Sequence, residues 1–169
     1  HRGRARRLVE LGACLMGLMP VAIDLGQGAC RVAIGTETGE EIRSQAPGFW
    51  ATNDPFEHLA QVILGAVDGR TEIPVRIGIG MTGLDDGAPG LDHLGARLVA
   101  EGIRGELVLC SDRVTAYLGA LGAVSGAVVV AGTGAVALGV NLMGGSGRSD
   151  GWGALLGDRG SGYWIGHQA

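Results

Sequence analysis

Residues 21–34 read Val21-Ala22-Ile23-Asp24-Leu25-Gly26-Gln27-Gly28-Ala29-Cys30-Arg31-Val32-Ala33-Ile34. A short apolar run ends in an acid, a glycine-rich turn follows, and a second apolar run begins at residue 30. Two β-prone runs around such a turn predict a β-hairpin. Residues 40–46 predict a third strand, and Pro47-Gly48 closes the unit.

Moving outward, the hydrophobic period changes. Asp54-Pro55 marks a helix start, an acidic cap followed by proline in the first turn. Leu59, Val62, Ile63 and Ala66 then share one helical face. Val75–Met81 has the length of a strand and runs into Thr82-Gly83. A helix is expected over 91–101, with Leu91, Leu94, Leu98 and Val99 turned inward. A buried strand is expected at 106–110, and Ser111-Asp112 opens a helix reaching about Leu121. Beyond Ser125-Gly126, residues 127–131 (AVVVA) form a strand, Gly132-Thr133-Gly134 turns the chain, and residues 135–141 return. Residues 144–151 read as a polar, glycine-rich loop, and Tyr163-Trp164-Ile165-Gly166 begins a further helix. Strands alternating with helices predict a mixed α/β sheet. The second glycine-turned hairpin resembles the first, as though the architecture starts again.

The chain has 169 residues, enough for one domain with a core. Its 33 glycines lie between apolar runs without a period, which points to tight turns and close backbone approaches. With a net charge of −4 and no basic stripe, nucleic-acid binding is a poor reading. Cys14, Cys30 and Cys110 lie far apart with no C-x-x-C, which argues against a zinc ribbon, a redox pair or a disulfide framework, and fits a reducing cytoplasm. The Arg-rich start before residues 8–19 has the outline of a signal peptide, but Glu10 interrupts it and no small-x-small site follows. No run approaches the roughly 20 apolar residues that cross a bilayer, so no membrane partner is expected. Residues 1–18 are read as an extension of uncertain role, with the folded domain beginning near Met19.

Four constellations could carry chemistry. Asp24-Leu25-Gly26-Gln27-Gly28 joins an acid at a strand end to glycines whose N–H groups can approach an anion. Such an acid can hold Mg²⁺ through water. Taken alone, the same pattern equally describes an ordinary hairpin with a surface aspartate. Gly132-Thr133-Gly134 offers backbone donors and one hydroxyl to a phosphate, or is a simple hairpin turn. Asp112, at a helix start, is held ionised and can accept a hydroxyl proton, or serves as a helix cap. Residues 151–162 pack five glycines around Trp152, Leu155, Leu156 and Asp158. A polar loop carrying an aromatic and an acid suits a polyol.

In this order, Asp24-x-Gly-x-Gly, Gly80-Met81-Thr82-Gly83, Ser111-Asp112, Gly132-Thr133-Gly134 and Gly151-Trp152-Gly-x-x-x-Gly157-Asp158-x-Gly160-Ser161 resemble the N-acetylglucosamine kinases, which group with the BadF/BadG/BcrA/BcrD-type ATPases in the actin-like, sugar-kinase and Hsp70 superfamily. The resemblance covers about residues 20 to 169 and is most specific at 151–169. It implies a ribonuclease-H-like (actin-like ATPase) lobe over 19–124, with a mixed sheet, and the opening hairpin of a second, incomplete lobe over 125–169. It implies ATP and Mg²⁺ as cofactors and an amino sugar as substrate, phosphorylated at its 6-hydroxyl. Asp24, Gly26, Gln27 and Gly28 would form the first phosphate loop, with Asp24 near the metal. Gly132, Thr133 and Gly134 would form the second. Asp112 would be the base, and Thr82, Asp112, Gly151, Trp152 and Asp158 would line the sugar site. A homodimer of the full-length protein stays open.

The sequence also departs from the family pattern. Leu25, Ala29 and Cys30 stand in or just after the first loop where glycine or hydroxyl residues are usual. Ala135 replaces a serine, Asp150 a glycine and Arg159 an acid. The chain alone is expected to be inactive, as a fragment of a kinase. Three other readings stay in view. An activator ATPase of the same superfamily would need cysteines spaced for an iron–sulfur cluster. A non-catalytic sugar- or nucleotide-binding regulator would suit a weakened first loop. A glycine-rich α/β domain without a ligand is compatible with the composition.

Overall fold

A computed structural model describes residues 18–35, 41–48, 54–67, 75–84 and 90–169. The expectation for residues 1–18 falls almost wholly outside them.

The first hairpin pairs β1 (Met19–Leu25) with β2 (Ala29–Gly35), and β3 (Glu41–Pro47) adds on the far side of β2. Helix α1 (Pro55–Ala66) follows. Its cap is the one the sequence announces: the Asp54 carboxylate accepts from the N–H groups of Phe56 and Glu57, both at 3.0 Å. Such a cap contributes about 1 kcal/mol. Strand β4 (Val75–Met81) returns parallel to β1, and after α2 (Leu91–Ala100) strand β5 (Gly105–Ser111) lies parallel to β4. The five-stranded sheet has the order β3-β2-β1-β4-β5. Parallel strands need crossovers, and α1 and α2 supply them.

One face of this sheet is the core. Val21, Ile23 and Leu25 of β1 stand in register with Ile34, Val32 and Cys30 of β2 and with Ile77, Ile79 and Met81 of β4. Leu59 and Ile63 of α1 and Leu94 and Leu98 of α2 cover them. Each such fully buried side chain contributes about 1.5–3 kcal/mol. Two expectations are corrected here. Val99 is 67% exposed, because Leu94 and Leu98 already define the inward stripe of α2 and Val99 lies beside it. Strand β5 is an edge, not a buried strand: Leu107 and Leu109 meet the core while Val108 on the opposite face is exposed.

Helix α3 (Asp112–Leu121) crosses to the other face of the sheet and joins it to a second sheet. Gly80 of β4 makes the approach possible, since a β-carbon there would run into the Thr115 side chain. At the far end of α3 the buried Tyr117 hydroxyl donates to the carbonyls of Val124 and Gly126. The second sheet is antiparallel, in the order β6 (Gly126–Ala131), β7 (Ala135–Val140), β8 (Ser146–Asp150). The loop expected over 144–151 is therefore corrected in part. Its last residues are a polar strand held by main-chain pairing, with Asp150 opposite Val136. Helix α4 (Gly162–Gln168) ends the chain, capped by the buried Ser161 hydroxyl, which accepts from the Trp164 N–H at 3.1 Å. Among the described residues no helix is long and apolar enough to cross a membrane.

Candidate active site

A cleft of about 700 Å³ opens between the two sheets at the end of β1 and β4 and the start of α3. Asp24 sits one residue before the end of β1 with Ile23 and Leu25 turned into the core, so its own side chain faces the opposite way. The turn that follows closes through Gly26 N–H to the Ala29 carbonyl at 2.9 Å. Asp24, Gly26, Gln27 and Gly28 all line the cleft. A β-carbon on Gly28 would meet nothing within 4 Å, so this turn faces open space. From behind, Gly48 presses on it: a β-carbon there would stand 2.6 Å from the Gln27 carbonyl oxygen.

Thr82 lines the cleft from the end of β4, its N–H held by the Leu25 carbonyl at 3.0 Å. Asp112 lines it from the first turn of α3. Ser111, not Asp112, holds the cap position and makes no side-chain cap bond. The Asp112 carboxylate accepts from the Arg113 N–H at 2.8 Å and from the Ser111 hydroxyl at 3.2 Å.

Across the cleft, Gly132, Thr133 and Gly134 turn between β6 and β7, and all three line the cavity. The turn is stitched to the chain's last loop. Its Gly132 and Thr133 carbonyls accept from the N–H groups of Gly162, at 2.7 Å, and Tyr163, at 3.3 Å. Gly151 and Asp158 complete the wall. Asp158 is a buried acid with a left-handed backbone, φ +57°.

Eleven of the residues singled out in sequence thus meet in one cleft. Trp152 does not join them. Its ring is 63% exposed and carries the Arg148 guanidinium 4.5 Å from its centroid, outside the cavity lining. Two cations in the wall, Arg31 and Arg113, escaped the sequence reading. Arg31 stands directly opposite Asp24 in the β1–β2 register and pairs with it at 3.0 Å. The spacing across the hairpin could have revealed it. Burial, then the Asp24 charge, push the Cys30 thiol up to about 11. Burial and the Asp112 charge raise that of Cys110.

The residues fit a nucleotide. Among the described residues, Oε1 of Gln27 is a buried polar atom with no protein partner, and Gln27 stands in the cleft wall. Glycine turns face the cavity from both sheets, and at Gly28 and Gly132 the space a β-carbon would take is empty. No three His, Cys, Asp or Glu side chains among the described residues cluster as a metal site. A divalent ion here would have Asp24 as its carboxylate and oxygens of nucleotide and water as its other ligands, the manner in which Mg²⁺ is usually held.

The fold is that of an actin-like ATPase lobe. Two solved structures share it: provisionally assigned N-acetylglucosamine kinases from Chromobacterium violaceum, with TM-score 0.68 over 89% of this chain and 55% of that one, and from Porphyromonas gingivalis, with TM-score 0.69 over 89% and 54%. Both are 21% identical to this chain. In sequence, the chain is 40% identical to an N-acetyl-D-glucosamine kinase of Dictyostelium discoideum over 124 residues, covering 69% of this chain and 38% of that protein. It is 41% identical to an N-acetylmuramic acid/N-acetylglucosamine kinase of Clostridium acetobutylicum over 68 residues, 40% of this chain and 22% of that protein. Over the matched region the chain is thus similar to N-acetylglucosamine kinases, and it spans well under half the length of these curated relatives. No protein-family model matches it.

Proposed function

We propose that the protein to which this chain belongs phosphorylates an amino sugar of the N-acetylglucosamine kind at its 6-hydroxyl, using ATP and Mg²⁺. The observation that carries the reading is the convergence of two glycine turns, one from each sheet, on a cleft that also holds Asp112. ATP would supply the phosphoryl group and Mg²⁺ would offset its charge. The chain's own part is mostly positioning, as phosphoryl transfer requires. Main-chain N–H groups of residues 27–28 and 133–134 and the Thr133 hydroxyl hold phosphate oxygens, while the unpartnered Gln27 Oε1, an acceptor, takes a nucleotide hydroxyl or a metal-bound water. Asp24 keeps the metal in place and gives up its pairing with Arg31 to do so. That pair is half exposed and worth little, so releasing it costs little. Asp112 accepts the proton from the sugar hydroxyl. Thr82, Gly151 and Asp158 orient the ring, and Trp152 shapes from its outer side the loop that carries Gly151 and Asp158.

The second sheet exposes Val129 and Val130, and Leu155 and Leu156 of the following loop are also exposed. On that ground the 169-residue chain by itself is expected to have little or no kinase activity. The test uses the protein expressed from its complete gene, a panel of amino sugars and ATP, with Asp112→Asn alongside. The variant should lose about 10²–10⁴-fold in kcat while sugar affinity holds. A parent protein that binds ATP and phosphorylates no sugar would sink the reading. An Asp112→Asn protein of normal kcat would sink the assignment of the base.

A further inference from the structure

Asp150 is the last residue of β8 and stands at φ +62°, a left-handed backbone that favours glycine. It is not in the cleft wall. Its carboxylate is nonetheless surrounded by main-chain donors. Oδ1 accepts from the N–H of Gly151 at 2.8 Å and of Asp158 at 2.7 Å, and Oδ2 accepts from the N–H of Arg159 at 3.2 Å. One carboxylate thus ties the two ends of a loop that leaves β8 and comes back beside it. The neighbours are shaped to admit it. A β-carbon on Gly157 would collide with Oδ1, and a β-carbon on Gly151 would stand 2.9 Å from the Val136 side chain.

The loop so closed delivers Asp158 to the 132–134 turn. The Asp158 amide is held by Asp150, and its carbonyl accepts from the Ser161 N–H at 3.0 Å. Its Oδ2 lies 2.7 Å from the place a β-carbon on Gly134 would take. Two non-glycine residues with left-handed backbones, at the two ends of one short loop, are costly unless the surroundings demand them, and such costs gather at functional sites.

We infer that Asp150 is a positioning residue of the sugar side of the cleft, whose carboxylate closes the 151–159 loop into a ring and thereby sets where Asp158 stands against Gly134. The inference rests on the reading of Asp158 as a sugar contact. Glycine at 150 would keep the backbone shape and relieve its strain, so Asp150→Gly removes the ring bonds without a conformational penalty. Asparagine keeps Oδ1 but turns an N–H₂ toward the Arg159 N–H, so Asp150→Asn should weaken one end of the ring only.

The experiment compares parent, Asp150→Gly and Asp150→Asn in the protein from the complete gene. Amide hydrogen exchange is followed at Asp158 and Arg159, and Michaelis constants are measured for N-acetylglucosamine and ATP. In Asp150→Gly, exchange at both amides should speed up about tenfold or more while the amides of β7 stay protected. The sugar KM should rise about tenfold with the ATP KM within about twofold, and Asp150→Asn should fall between. Unchanged exchange overturns the ring, and sugar and ATP constants that move together overturn the positioning role. If the parent phosphorylates no sugar, the kinase reading fails separately, and exchange at Asp158 still upholds or overturns its placement by Asp150.

Discussion

The Asp158 carboxylate lies against Gly134, with Oδ2 2.7 Å from where a β-carbon on that glycine would stand. Gly134 has no left-handed backbone to explain its identity. The close approach of an acid from a different loop does explain it. Gly134→Ala should therefore act by pushing Asp158 aside. Displacement of a substrate contact by an ångström can cost about 10²-fold in kcat/KM. The loss should shrink when Asp158→Ala is already present, because the two residues share one space. A double-mutant cycle on kcat/KM checks this, and purely additive effects would show that Gly134 serves some other purpose.

Gly80 makes a similar demand at the base of the cleft. The Thr115 side chain fills the place of its missing β-carbon, and Thr115 Oγ1 donates to the Asp112 carbonyl at 2.9 Å. The first turn of α3, with Asp112 on it, is seated on β4 through this contact. Gly80→Ala should lose about 1–3 kcal/mol of stability by overpacking. Adding Thr115→Ala should restore part of it. Urea unfolding of the two variants measures both numbers, and a neutral Gly80→Ala would mean that α3 sits less tightly than described.

The first sheet was legible because burial writes itself into sequence. Val75–Met81 is apolar at every core-facing position, so its ends are visible. Asp54 and Pro55 announce α1 through the chemistry of helix ends. What escaped was structure held by pairing rather than by burial. Strand β8, Ser-Gly-Arg-Ser-Asp, is polar and glycine-bearing, and only its register with β7 makes it a strand. Val99 was misplaced because an apolar residue beside a helix stripe looks like part of it. In the cleft, the glycine turns and acids were readable from their spacing. Trp152 illustrates the limit: residue type suggested a sugar platform, whereas the local fold turns the ring outward beneath Arg148.

The three main-chain bonds to Asp150 make acid stability depend on it. They hold its carboxyl below the ordinary value of 3.8, with the Asp158 N–H the largest cause. A folded-state value below the unfolded one means the folded protein binds fewer protons, so the contribution is complete above the unfolded value. It is lost as pH falls through the folded one. Parent protein should therefore melt above Asp150→Asn at pH 7, with the gap closing as pH drops below 3.8. Thermal melts of both proteins from pH 7 downward would show it. A gap that stays constant with pH would separate the stability of the loop from the charge of Asp150.

Gly48 offers the corresponding test of the first turn. It is buried and lies behind residues 27–29, where a β-carbon would stand 2.5 Å from the Gly28 carbonyl carbon and 2.6 Å from the Gln27 carbonyl oxygen. The obstructing atoms are backbone, so no side-chain rotation can relieve the clash, and the turn itself must move toward the cleft. Gly48→Ala should weaken ATP binding about tenfold or more, since the turn's N–H groups would be displaced from their phosphate positions. The sugar side, which apart from Thr82 is built on the second sheet, its following loop and α3, should be less affected. Titration calorimetry with ATP and with N-acetylglucosamine reads the two separately. Equal losses for both ligands would place the damage in the fold as a whole, and unchanged ATP affinity would mean that the 26–28 turn is not what holds the nucleotide.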